Sequence, residues 1–126
     1  FDWDRLDQQG VSRELHIAQA LDAIDFEVRD QYRTGYTKVK NQAVPLIVSP
    51  YFTTSLIEIT KPLYQDYSER DSFTVYICIR GSAELVYRDG RLPVAMGDAV
   101  LVPAEIPDCR LLPSPLAGLL EVYVEQ

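Results

Sequence analysis

The hydrophobic pattern changes its period once along the chain. Leu15, Ala18, Leu21 and Ile24 recur every third position, the stripe of an amphipathic helix. Ser12 offers an N-cap hydroxyl, and Glu14 sets a carboxylate in the first turn, where it suits the helix dipole. A helix is therefore expected near residues 12–24. Residues 1–11 are mostly polar and carry the loop signal Gln8-Gln9-Gly10, and residues 27–43 read as a polar surface connection.

From Val44 onward the chain reads as strands. Val44–Val48 is short and apolar, and Pro45 assigns it to an edge. Phe52–Ile59 is rich in β-formers. Phe73, Val75, Ile77 and Ile79 alternate with Thr74, Tyr76, Cys78 and Arg80, a period of two. Ala83, Leu85 and Tyr87 alternate with Glu84 and Val86 before the hairpin signal Asp89-Gly90. Leu92–Val94, Ala99–Val102, Cys109–Leu112 and Leu119–Val124 complete the series, punctuated by Gly81, Gly97, Pro103, Pro107, Pro113 and Pro115. Short strands at even spacing predict an all-β barrel or sandwich of about eight strands, preceded by one N-terminal helix.

Composition narrows the chemistry. The 126 residues suit one domain, and 47% hydrophobic with 25% charged residues is ordinary for a globular chain. A net charge of −7 with no basic stripe disfavours nucleic acid. No apolar run is long enough for a membrane helix, and no leader pattern opens the chain, so a cytoplasmic location is expected. Two cysteines, Cys78 and Cys109, make no disulfide framework. One histidine and two scattered cysteines do not assemble a typical zinc site, so no metal and no catalytic residue is assigned within this chain. The opening Phe1-Asp2-Trp3-Asp4-Arg5, with no initiator methionine, reads like the middle of something longer.

Two stretches carry a resemblance. Gly97, five residues and Pro103 resemble the second motif of the cupin superfamily, in which a glycine turn, a strand and a terminating proline follow one another. Metal-binding cupins place a histidine five positions after that proline, and here Asp108 stands there. The first cupin motif would fall on Tyr67-Ser68-Glu69-Arg70, ahead of Phe73–Ile79 and Gly81, and it holds no histidine.

The N-terminal order is the second stretch. Phe1-Asp2-Trp3-Asp4-Arg5, then Arg13-Glu14-Leu15-His16, then Leu21-Asp22-Ala23-Ile24-Asp25 resembles class I mannose-6-phosphate isomerase, with Phe1 where tyrosine is usual. Ser49–Thr54, Asp66–Ser68, Asp71–Phe73 and Leu119–Val124 resemble the C-terminal barrel of the short bacterial form. The resemblance implies a cupin-like jelly-roll barrel over 44–126 and a linker segment over 1–43. It also implies that zinc and the catalytic arginine belong to a catalytic domain upstream. This chain would then be that domain's partner, and sugar phosphate would be handled only by the full-length enzyme. Other readings are a metal-free barrel binding a small sugar, or one associating with itself as a homodimer.

Individual side chains stay open between two roles. Asp2, Arg5 and Arg13, with Asp4, either clamp an anion beside a neighbouring active site or form a salt-bridged turn. His16 is a ligand or a packing and hydrogen-bonding residue. Asp66, Glu69 and Asp71 are an acid/base cluster or a solvated connection. Cys78, opposite Phe73, Val75, Ile77 and Ile79, is exposed or buried according to whether the sheet is covered on both faces. The tyrosines line a groove or serve as β-formers with a polar tip.

Overall fold

The structure is a computed structural model and describes residues 6–12, 14–31, 33 and 35–124. The chain divides into two units, Phe1–Tyr32 and Arg33–Gln126.

In the first unit the helix α1 spans Ile17–Ala23, shorter than the 12–24 its periodicity predicts. Local hydrogen bonding explains the late start. Asp7 Oδ1 accepts the backbone N–H groups of Gln9 and Val11, and Ser12 pairs with Leu6 in a small antiparallel bridge. Ser12 is therefore held in a turn rather than at an N-cap. His16 takes the cap position and makes no side-chain capping bond. The helix buries none of its residues.

The second unit is an antiparallel barrel of seven strands among the described residues: β1 Ala43–Val48, β2 Thr53–Ile59, β3 Leu63–Asp66, β4 Thr74–Tyr87, β5 Gly90–Ala95, β6 Ala99–Val102 and β7 Asp108–Tyr123. Two expected breaks are bends instead. Phe73–Ile79 and Ala83–Tyr87 merge into β4, and Cys109–Leu112 merges with Leu119–Val124 into β7, which lowers the expected count of about eight. The register shifts between Cys78 and Arg80 and again between Gly81 and Ala83, and the bulges let β4 turn a corner while keeping β7 as its partner. Gly81 sits at that corner with φ +64, and a Cβ there would collide with the Leu116 carbonyl oxygen. The strand β3, which its sequence does not announce, pairs with the first half of β7.

Because β4 and β7 cross the corner, each contributes to two walls. One wall runs β1-β2-β7-β4-β6, using Ala117–Tyr123 of β7. The other runs β3-β7-β4-β5, using Asp108–Pro113 of β7. This is the two-sheet jelly-roll plan. Between the walls lie Ile57, Ile59, Cys78, Leu85, Val94, Val102, Leu111 and Leu119. The alternation over 73–79 resolves with Thr74, Tyr76 and Cys78 pointing inward, so Cys78 is buried, while Phe73 and Ile79 are exposed. The hairpin after β4 turns on Arg88-Asp89, one residue earlier than Asp89-Gly90, since Tyr87 pairs with Gly90. Gly97 (φ +96) makes the turn into β6, and Asp98 Oδ2 accepts the Ala95 N–H across it at 2.8 Å. Pro103 follows the end of β6, as the glycine–strand–proline motif predicts. No helix among the described residues is long and apolar enough to cross a membrane.

Candidate functional site

The barrel interior is polar at one end. Residue 121 is a glutamate in the apolar run Leu119-Leu120-Glu121-Val122-Tyr123, and the pleat of β7 turns it inward, where it is fully buried. A buried carboxylate must be paired and hydrogen-bonded. Three elements supply its partners. Arg70, in the connection after β3, donates from Nη2 to Oε1 at 3.1 Å. Tyr76 of β4 donates its hydroxyl to Oε2 at 2.7 Å. Gln65 of β3 donates from Nε2 to the same oxygen at 2.8 Å. Arg70 is itself fixed, with its guanidinium 3.8 Å from the centroid of the Tyr123 ring and Nη1 donating to Thr74 Oγ1 at 3.3 Å.

The network continues inward with a fixed direction. Tyr76 has one hydroxyl proton and gives it to Glu121, so its oxygen accepts from Tyr67 at 2.6 Å. Tyr67 has then spent its own proton, so it accepts from the Cys109 thiol at 2.9 Å. Cys109, Tyr67 and Tyr76 thus form a chain of donors aimed at one carboxylate. Burial, helped by the nearby Glu121 charge, pushes both tyrosine hydroxyls well above their ordinary range. Burial likewise pushes the Cys109 thiol up to about 11. At neutral pH the thiol stays protonated and is a poor nucleophile. Burial opposes the Arg70 charge, but the Glu121 hydrogen bond and charge outweigh it and raise its pKa.

This donor set does not fit zinc. Both oxygens of Glu121 are occupied, one by a guanidinium, and the groups around it are an amide, two phenols and a protonated thiol. A divalent ion would have to displace Arg70 from Glu121. Among the described residues no group of three or more His, Cys, Asp and Glu side chains comes together.

The side chains singled out in the sequence have different outcomes. Asp2, Asp4, Arg5 and Arg13 lie outside the described residues. His16 is exposed in the first unit. Asp66, Glu69 and Asp71 are exposed, and Asp66 is engaged locally: the Ser68 N–H donates to its Oδ1 at 2.9 Å and holds its carboxyl below the usual range. Asp108 is half-buried opposite Asp66, and the next residue, Cys109, faces the interior. Of the tyrosines, Tyr67 and Tyr76 join the network, and Tyr123 carries Arg70. Gln65, Arg70 and Glu121 are not among the side chains that the sequence singles out as site residues. A lone charge inside an apolar strand is the signal that marks Glu121. Gln65 has no comparable mark.

Two depressions lie apart from the network. A cleft of about 80 Å³ is lined by Lys40, Glu58, Thr60 and Arg80 beside Gly118. A shallow groove of about 370 Å³ runs along Ser82, Glu84, Pro93 and Asp98.

Residues 43–112 match the family profile of the mannose-6-phosphate isomerase cupin domain. The chain is 31% identical over 110 residues to the Bacillus subtilis (strain 168) protein YvyI, named provisionally as a mannose-6-phosphate isomerase. That match takes in 86% of this chain and 34% of the relative, so the chain spans about a third of the relative's length. The crystal structure of a mannose 6-phosphate isomerase from Bacillus subtilis superposes with a TM-score of 0.64 at 28% identity, over 99% of this chain and 39% of that one. A cupin-2 protein from Shewanella frigidimarina (TM-score 0.60, 10% identity, 71% of this chain and 85% of that one) shares the fold.

Proposed function

Because this chain belongs to the mannose-6-phosphate isomerase cupin-domain family, we propose that it is the non-catalytic barrel of an enzyme interconverting mannose 6-phosphate and fructose 6-phosphate. Such an aldose–ketose isomerisation moves a proton between C1 and C2 while a Lewis acid polarises the sugar oxygens. In this reading zinc and the proton-transfer groups belong to a separate catalytic domain, which is this barrel's partner and binds the sugar phosphate. The observation that carries the reading is the Arg70–Glu121 pair. Glu121, the buried carboxylate, is held by a guanidinium and two further donors and so is not free to ligate a metal or act as a base. The length of the relatives, about two and a half times that of this chain, leaves room for the partner domain. A charged sugar phosphate does not cross membranes unaided, so the reading also places the protein in the cytoplasm.

The test is a coupled isomerase assay on the 126-residue chain in zinc-containing buffer, with elemental analysis of the dialysed protein. The expected result is no turnover and metal well below one per chain. Turnover that disappears on chelation overturns the proposal.

A further inference from the structure

Next to the corner of the barrel, cross-strand register sets Glu58 of β2, Gly118 of β7 and Arg80 of β4 in one outward row. Residues two strands apart in such a row are separated by about 9.6 Å. Gly118 has no side chain to fill that interval, and a Cβ there would meet the Arg80 Cβ at 3.2 Å. The space over the glycine is the cleft of about 80 Å³. Lys40 extends the row beyond Glu58, to which it bridges in parallel. Its place is fixed by the next residue. Asn41 holds a left-handed backbone (φ +62), which asparagine adopts more readily than most residues. Its N–H donates to the Glu58 carbonyl at 2.7 Å, and its Oδ1 accepts the N–H groups of Thr60 and Lys61 at 3.0 and 3.2 Å. The segment ahead of β1 is thereby pinned to the end of β2. Lys40, Glu58 and Arg80 make no ion pair with one another or with other described residues. The cleft therefore presents two cations and one carboxylate, an excess of positive charge in a chain of net charge −7.

We propose that this cleft binds inorganic hydrogen phosphate over Gly118, between Lys40 and Arg80. The volume equals that of two or three waters at about 30 Å³ each, room for one small oxyanion. Arg80 offers paired N–H donors to two phosphate oxygens, and Lys40 offers a point charge. Glu58 selects among oxyanions. An ionised carboxylate only accepts hydrogen bonds, so it suits an anion that brings its own proton. Hydrogen phosphate carries a P–OH at neutral pH. Sulfate carries no proton, and would leave Glu58 facing a like charge. A phosphate monoester, with a second pKa near 6, has mostly lost the proton as well. The carboxylate that weakens the cleft as a general anion site thus makes it specific for the free ion. This inference does not rest on the isomerase reading.

An NMR titration of the isotope-labelled chain at about pH 7.5 and low salt tests it, with sodium phosphate, sodium sulfate and glycerol 3-phosphate as probes. Phosphate is expected to shift the amides of Lys40, Thr60, Arg80 and Gly118 with a dissociation constant of about 1 mM or below. Sulfate and glycerol 3-phosphate are expected to bind at least about tenfold more weakly. Glu58→Gln, whose amide donates as well as accepts, is expected to take sulfate about as well as phosphate. Arg80→Gln and Lys40→Gln, both at exposed positions, are each expected to weaken phosphate at least about tenfold with the rest of the spectrum unchanged. Arg91→Gln, on the other wall, is expected to bind like wild type. No shift with phosphate up to about 20 mM overturns the proposal. So does sulfate binding to wild type as tightly as phosphate, or binding that both cleft variants leave intact. Glycerol 3-phosphate binding more tightly than phosphate overturns the choice of the free ion, and with it the role given to Glu58.

Discussion

Arg70 reaches across the barrel end to Glu121, 51 residues further on, with Nη2 at 3.1 Å from Oε1. The contact ties the connection after β3 to the last strand. It is also why the barrel tolerates a carboxylate in its interior. The two halves of the pair are unequal: the Arg70 side chain keeps 23% of its surface in solvent, and that of Glu121 keeps 1%. Removing the arginine strands a charge, whereas removing the carboxylate leaves a guanidinium that water can reach.

Arg70→Met is therefore expected to destabilise the protein by about 3 kcal/mol, the usual cost of breaking a buried pair from one side. Glu121→Gln is expected to cost less, because the amide still accepts from Tyr76 and Gln65. The double variant Arg70→Met/Glu121→Leu should recover part of the single loss. Urea unfolding of the four proteins measures this. An Arg70→Met cost under about 1 kcal/mol would show that the pair does not hold the barrel end together.

Stability should fall on the alkaline side. The Cys109 thiol titrates near 9 when unfolded and near 11 when folded, because burial disfavours its thiolate. Between those values the unfolded chain binds fewer protons than the native one, so unfolding is increasingly favoured as pH rises. The thiol's contribution is fully present below about pH 9 and is lost by about pH 11. Tyr67 and Tyr76 are raised for the same reason and act in the same direction from about pH 10 upward. Stability measured at intervals from pH 8 to 11 should decline, and Cys109→Ala should flatten the part of the decline that begins near 9. A pH-independent wild type over that range contradicts the network as drawn.

How far the sequence announces this architecture depends on the scale of the feature. Most strands from Val44 onward are legible, β4 from its period of two and the others from β-forming residues between turn signals, whereas β3 is not, and the turn at Gly97 is legible because glycine, strand and proline are local signals. The bends in β4 and β7 are not, since a proline or glycine marks a bulge and a chain break alike until the partner strand is known. The start of α1 is hidden because Ser12 fits an N-cap, yet the Asp7 turn claims it first. The interior network is the least legible part. Gln65, Arg70, Tyr76 and Glu121 come from separate segments, and only the register of β3, β4 and β7 brings them together.

Both thiols should resist modification. Cys78 and Cys109 are each 1% exposed, and Cys109 donates to Tyr67 rather than standing as a thiolate. Native protein is expected to react with Ellman's reagent roughly two orders of magnitude more slowly than a free thiol, as for protonated, occluded cysteines. In guanidinium chloride both should titrate at once. Rapid labelling of Cys109 in native protein would mean that the barrel end opens and that its thiol is available for chemistry.

Two glycines at positive φ make opposite demands, and a matched pair of substitutions separates backbone strain from collision. Gly97 has φ +96 with nothing within 4 Å of an added Cβ, so Gly97→Ala meets only the conformational penalty, about 1–2 kcal/mol. Gly81 has φ +64, and its Cβ would strike the Leu116 carbonyl oxygen, which is backbone and cannot rotate away. Relief would require β7 to shift at the corner where β4 changes walls, and with it the register that seats Tyr76 opposite Glu121. Gly81→Ala is thus expected to cost at least about 3 kcal/mol, or to prevent folding, with Gly97→Ala folded and only mildly weakened. Thermal unfolding of the two variants decides the matter. Equal losses would mean that the corner yields without strain and that the bend in β4 is not held by its glycine.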